Sequence, residues 1–384
     1  ILSAVNVALQ NNYTEHNSSN TISLENGSIS IESTDQQVNL DNVSLSSELI
    51  NGSRDLKFEY IKDSSVDSQN VEILLNHNTE KGITNADIIF KNININEFMA
   101  GINSKSYESI YDGNLSGRLN LNFNKLGRII DSTLDLNIGA GNFEVDLPYS
   151  KQDIHNIEDA YFSVSYISSE EQVDINEIQI KHDDFSLNTK GVIKLNYDSG
   201  GKISTFDANL SGLSLFKGGQ QIFNNGNVIV NVDPTNSEIN FQKLDGELSD
   251  GKVSIREEEF ANHKEIEIMI ENSNVKNVKE LFSLVNENKI TNWFSQNVFS
   301  GSIDELTLNR MTDKEGNSSV DMRMEFRDSE FTYYKGHPTI SEGSGAIILN
   351  DGKILAEIFS GNLLLEKGLA SITQTSGEIN IIDI

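Results

Sequence analysis

The chain has 384 residues, with 58 Asp and Glu against 29 Lys and Arg, a formal net charge of −29 at pH 7, and no cysteine. The charge argues against a nucleic-acid surface, which needs clustered cations to displace counterions from phosphates. The missing cysteines exclude a disulfide framework, a thiolate nucleophile and a Cys-based zinc site. Repulsion from anionic headgroups is expected as well, so any lipid contact would work through apolar surface rather than a basic patch.

Hydrophobic residues make up 37% of the chain, little for a thick core and enough for sheets buried on one face. No apolar run approaches the roughly 18 to 20 residues of a membrane helix. The opening ILSAVNVALQNNYTEHN has no basic start and is not a signal peptide. Strand-turn texture hardly changes along the chain, so the expectation is one elongated, repetitive body rather than two or three compact domains.

Residues 1–20 carry a weak apolar pattern and a polar linker. From Thr21 the β pattern begins: Ile22 and Leu24, a turn at Asn26-Gly27, then Ile29 and Ile31. Strands are expected at 38–45, 56–61, 71–75 and 86–95, separated by Asn, Ser, Asp and Gly clusters. Near Asn96 the period changes, and a short helix carrying Phe98, Met99 and Ile102 is expected within 96–111. The next strand alternates cleanly, with Leu115, Gly117, Leu119, Leu121 and Phe123 on one face and Asn114, Ser116, Arg118, Asn120 and Asn122 on the other.

Leu134, Leu136 and Ile138 continue the pattern, followed by a break at Gly139-Ala140-Gly141 and then Phe143, Val145 and Leu147. Val173, Ile175, Ile178 and Ile180 precede the longest alternation: Phe185, Leu187, Thr189, Gly191, Ile193, Leu195 and Tyr197. A helix, with its 3.6-residue period, does not hold seven such positions in phase. Val228, Val230 and Val232 and the Ile266, Ile268, Ile270 run lead to a second helical insertion, near 274–298. Ser273 or Asn274 can cap a helix bearing Val275, Val278, Leu281, Phe282 and Val285; Ile290, Trp293, Phe294 and Val298 suit a second. The expected units are therefore 21–95, 112–270 and 299–384, in an antiparallel meander of about 25 to 30 strands, on the order of 120 to 145 Å long if continuous.

The last quarter of the chain is the clearest copy of this pattern. Trp293-Phe294 closes a helix, Phe299-Ser300-Gly301-Ser302-Ile303 reads as a turn, and Val320, Met322, Met324 and Phe326 alternate. Phe331, the turn Tyr333-Tyr334-Lys335-Gly336-His337-Pro338, and strands at 345–349 and 354–359 follow. These features resemble the AsmA-like family of Gram-negative bacteria, in its YhdP-like branch, over 281–384 and in part over 96–197; the family more often has Trp where this chain has His337.

The resemblance implies a mainly β fold, an elongated, twisted antiparallel sheet forming a repeating groove with a few short amphipathic helices. It implies a periplasmic segment that carries phospholipid between inner and outer membranes in support of outer-membrane biogenesis. The partners would be phospholipid acyl chains and the two membranes, with no nucleic acid and no cofactor. Because family members begin with a membrane anchor, the chain reads as an interior fragment of such a protein, anchored in the inner membrane by a segment outside this sequence.

The groove candidates are Leu115, Leu119, Leu121, Phe123, Phe185, Leu187, Ile193, Leu195, Tyr197, Val228, Val230, Val232, Val320, Met322, Met324 and Phe326. Alternating strands are also ordinary core, so a structural or adhesive β-repeat protein of the cell surface stands as the alternative.

Little points to catalysis. The six His are scattered, without HxH or HExxH spacing. His182-Asp183-Asp184 reads as a solvated turn and Glu257-Glu258-Glu259 as a solvated strand edge. Gly139-Ala140-Gly141 lacks the third glycine and following helix of a dinucleotide loop, and Gly343-Ser344-Gly345 is not a nucleophile elbow. No enzyme is expected.

Overall fold

A computed structural model describes residues 22–32, 37–50, 53–62, 68–78, 80–94, 113–144, 154–201, 203–233, 238–260, 262–283, 289–332, 337–350, 353–365 and 368–380. The helix expected within 96–111, Val145, Leu147 and the turn residues 333–336 lie outside the described residues, as does everything before Ile22.

The chain divides into two compact units: Ile1–Val145, Asp153–Ser186 and Lys190–Asn196 form the first, and Asp146–Gln152, Leu187–Thr189 and Tyr197–Ile384 the second. The first holds β1 (Ile22–Glu32), β2 (Gln37–Ile50), β3 (Ser53–Lys62), β4 (Gln69–Asn78), β5 (Ile83–Asn94), β6 (Asn114–Phe123) and β7 (Ile129–Ile138). It continues with β8 (Gly141–Glu144), β9 (Ile154–Ile157), β10 (Asp159–Ile167) and β11 (Gln172–His182), while β12 (Phe185–Tyr197) is divided between the units.

In the second unit are β13 (Ile203–Lys217), β14 (Gln220–Asp233), β15 (Glu238–Leu248), β16 (Gly251–Glu259) and β17 (His263–Asn274). Helices α1 (Val275–Ser283) and α2 (Lys289–Asn297) come next, then β18 (Val298–Asp313), β19 (Ser318–Phe331), β20 (Ile340–Asn350), β21 (Lys353–Leu365) and β22 (Gly368–Asn380). The protein is thus mainly β, with twenty described strands assigned to one antiparallel sheet and β8–β9 forming a two-stranded one. Within each unit the registers describe a meander: β1 to β7 pair in succession, β7 passes to β10 and β10 to β11, and β13 to β22 pair in succession.

Left-handed residues interrupt several of the strands. Asn26 (φ 53°), Asn92 (φ 57°), Asn225 (φ 52°), Asp328 (φ 48°) and Glu342 (φ 51°) each lie at a register shift inside a strand. The extra residue bends the strand and sharpens its twist without ending the pairing. This corrects the reading of Asn26-Gly27 as a hairpin turn: β1 runs straight through, with Gly27 opposite Val43 and Glu32 opposite Gln37. The residues on both sides of Asn26-Gly27 pair with β2 rather than with each other, so the left-handed Asn26 makes a bulge and not a turn.

The expected turn at Phe299–Ile303 is likewise strand, and Val298 opens β18 rather than ending α2. Here Gly301 (φ 122°) lies against β19 so closely that a Cβ would fall 2.4 Å from the Ser329 Cα.

The helices form where a polar node ends β17. Asn274 is the cap, its side-chain oxygen accepting the Asn277 N–H at 2.9 Å. Asp250, from the β15–β16 turn, accepts the Asn274 N–H at 3.0 Å, the Ser273 hydroxyl at 3.2 Å and the Asn277 side-chain amide. The helices then lay Val275, Val278, Trp293 and Phe294 on the sheet and join one buried cluster with Ile270, Ile303, Leu306, Met324 and Phe331. Phe326 meets Phe331 edge-on, ring centres 5.0 Å apart. Phe294 is completely buried. Phe294→Ala should cost about 3–5 kcal/mol, read as a lowered urea midpoint of the second unit, whereas Phe359→Ala, at a side chain 56% exposed, should change it little.

Candidate functional site: an apolar face on each unit

Because side chains alternate, register decides which residues share a face. In the first unit one row runs Leu24, Leu45, Phe58, Ile73, Ile88, Leu119, Leu134, Val164, Ile175, one residue from each successive paired strand. A second runs Val43, Tyr60, Val71, Phe90, Gly117, Leu136, Phe162, Ile178. Neither row contains an ionisable acid or base other than the Tyr60 phenol. From Leu45 through Val164 the first row is half-buried. Phe90 lies over Gly117, where a Cβ would come within 2.9 Å of its ring.

Among the described residues the closed cluster on this face is small: Leu75, Ala86, Leu121 and Phe123, with Leu56, Ile73, Ile88 and Leu119 packed on it. All of these come from the sheet's own strands.

The opposite face carries the charge. Lys57 bridges Glu72 at 2.8 Å, and Arg118 grips Asp87 through two hydrogen bonds of 2.7 and 2.6 Å. Asn85 donates to Asn120 and Asn122, Asn122 to Asp131, and the Tyr161 hydroxyl to Asp135. These ladders hold neighbouring strands in register and keep the acidic side chains off the apolar rows.

In the second unit the corresponding row is Leu210, Val228, Leu244, Ile255, Ile268, Leu308, Met322, Leu349. Its neighbour is Val253, Ile270, Leu306, Met324, Ile347. Here helices supply a cover, since α1 packs on β14, β17 and β18 and α2 on β18. Met322, Met324 and Phe326 are at most 4% exposed and belong to the closed cluster. Leu210, Leu244, Ile255 and Ile268 remain half-buried.

The structure therefore distributes the sequence candidates unevenly. Leu115 and Leu119 lie half-buried on the first unit's face and Leu121 and Phe123 in its small cluster; Phe185, Leu187, Ile193 and Leu195 are half-buried on β12, and Tyr197 is exposed. Val228 is buried, Val230, Val232 and Val320 are half-buried, and Met322, Met324 and Phe326 are enclosed. Sequence reasoning passed over Phe58, Ile73, Ile88 and Val164 as site residues; their alternation was visible, but joining them needed the register. Among the described residues no helix is long and apolar enough to cross a membrane, and no group of three His or acidic side chains is placed to hold a metal ion. No family model, curated protein or solved structure matches the chain.

At one margin of the first unit's face, His77 is 4% exposed and pairs with Thr84, its Nδ1 lying 2.8 Å from the threonine hydroxyl. Burial lowers its pKa below the ordinary value. The folded state therefore binds fewer protons than the unfolded chain, and stability present above about pH 6.5 is lost as the pH falls from there through the lowered folded value. His77→Gln, which can still bond Thr84, should flatten this part of the wild-type decline in melting temperature between pH 7 and 5. Parallel profiles for the two proteins would count against it.

Proposed function

We propose that this chain is a lipid-carrying β segment of the cell envelope, holding phospholipid acyl chains on its apolar faces while headgroups stay in water. The observation that carries the reading is the first unit's row from Leu45 to Val164, apolar at every strand and half-buried throughout. A sheet face must be buried against another layer or against a ligand. The second unit uses helices for this, whereas among the described residues the cluster on the first unit's face is made of sheet residues.

An acyl chain laid across such a row gains about 0.8 kcal/mol per buried methylene. Because the next strand offers an equivalent residue, the chain can shift by one strand without entering water. Together with the resemblance to the YhdP-like branch, this supports a periplasmic segment that passes phospholipid between inner and outer membranes, with no catalytic chemistry of its own.

The test is native mass spectrometry of the 384-residue protein, followed by lipid extraction from the same sample. Phospholipid should accompany the wild type. Leu119→Asp with Leu134→Asp should lower occupancy about tenfold, the loss of roughly two methylene contacts, while Thr133→Asp on the charged face leaves it unchanged. A folded, lipid-free wild type, or full occupancy in the double variant with a native circular dichroism spectrum, would refute the reading.

A further inference from the structure

The sheet of the second unit forks. β15 and β16 pair from Leu248↔Gly251 up to Lys243↔Arg256, where their mutual register ends. Beyond that point β15 stays with β14 as far as Asp233↔Glu238, and β16 stays with β17 as far as Glu259↔Lys264. Residues 238–242 and 257–259 thus part company, leaving a cleft of about 590 Å³ between the two hairpins, in the range of small-molecule sites.

Its charges are arranged against the interests of strand pairing. Lys243 and Arg256 stand directly opposite each other at the base of the fork, and Glu258 stands opposite Glu265 on one limb. Like charges facing across a strand pair are destabilising. Lys243 is held by Asp245, which also accepts the Ser254 hydroxyl at 2.7 Å and feels the charge of Arg256; Arg256 faces Glu267 of β17 but makes no ion pair among the described residues, so its guanidinium keeps its donors for a ligand. On the limb, Lys264 engages Glu257 at 2.6 Å, leaving the Glu258 and Glu259 carboxylates without an ion pair among the described residues. The base of the cleft therefore attracts an anion and its wall a cation. Phe241, opposite Val230 on the apolar face, also lines the cleft, and the half-buried pair Leu244 and Ile255 adjoins its base.

We propose that this cleft binds the headgroup of a zwitterionic amphiphile, a phosphodiester bearing a primary ammonium, and this rests on the lipid-carrying reading above. The phosphate sits between Arg256 and Lys243, the ammonium against Glu258 on the same face of β16, and the acyl chains pass through the fork beside Phe241 to the other face, where Leu244 and Ile255 lie. A guanidinium and an ammonium together supply charge-assisted hydrogen bonds to phosphate. Such a ligand compensates both like-charge pairs at once. An extended peptide inserted between the limbs would use their backbone groups but leave the two bases at the floor unanswered.

The probe is dihexanoyl-phosphatidylethanolamine, kept monomeric and titrated calorimetrically into the full chain, beside dihexanoyl-phosphatidylglycerol, free phosphoethanolamine and inorganic phosphate. The ethanolamine lipid should bind most tightly. Arg256→Gln should weaken it about tenfold or more, the loss of one charge-assisted contact. Glu258→Gln should weaken the ethanolamine lipid and spare the glycerol lipid.

Arg256 and Glu258 are exposed, so native melting curves are expected for both variants. Equal affinity for wild type and Arg256→Gln would overturn the proposal. So would inorganic phosphate binding as tightly as the amphiphile, which marks a free-anion site. A synthetic copy of β16 that binds and protects amides 238–242 from exchange, with no amphiphile binding, would make the cleft a strand acceptor and overturn it as well. If long-chain lipid occupies the protein and depends on Leu119 and Leu134 while Arg256→Gln changes nothing, the headgroup site fails and the carrier reading stands. If the short-chain headgroup binds through Arg256 in a protein that retains no long-chain lipid, the carrier reading fails and the cleft stands.

Discussion

Everything in this protein depends on the backbone ladder between successive antiparallel strands. Once neighbouring strands pair, parity assigns every side chain to one face, and a one-residue slip would move a whole apolar set into water. The rows from Leu45 to Val164 and from Leu210 to Leu349 are the result, each extended by one residue per strand. The charged ladders on the other face, such as Asp87 with Arg118 and Glu72 with Lys57, make the same register costly to lose. A chain with a net charge of −29 can present an uncharged surface because its acids are sorted by parity.

The two units handle their apolar faces differently. In the second, Asp250 gathers Ser273, Asn274 and Asn277 at the end of β17 and so fixes where α1 begins. The helix starting there lies on the sheet, and Trp293 and Phe294 of α2 complete the enclosure. In the first unit the buried cluster among the described residues is Leu75, Ala86, Leu121 and Phe123, and most of the row beside it keeps partial exposure. A sheet face can meet its burial requirement against helices, as in the second unit, or against another layer or a ligand.

Bulges shape both faces. Asn92, Asn225, Asp328 and Glu342 occupy left-handed positions within strands that remain paired on either side, which bends a strand without breaking the ladder. The fork at Lys243 and Arg256 goes further, since pairing there ends while both limbs continue in separate hairpins. Bends curve the face; the fork opens it at one margin.

Much of this was legible in the residues. Alternation located β6, β12, β14 and β19, and the choice between Ser273 and Asn274 as helix cap came down to one hydrogen bond. The misreadings share a cause: Asn26-Gly27 and Phe299–Ile303 carry turn chemistry that the fold spends on bends inside strands. A left-handed residue serves a bulge or a hairpin equally well, and only the partner strand decides which. The sequence by itself determined the mainly β fold, the apolar and wet faces of each strand, and the position of the second helical insertion, because these follow from periods of two and 3.6 residues within a short window. The tertiary structure alone decided that Met322, Met324 and Phe326 are enclosed while Phe58, Ile88 and Leu119 are not, and that β15 and β16 separate. Cover and register are set by segments far apart in the chain, and no local pattern encodes them.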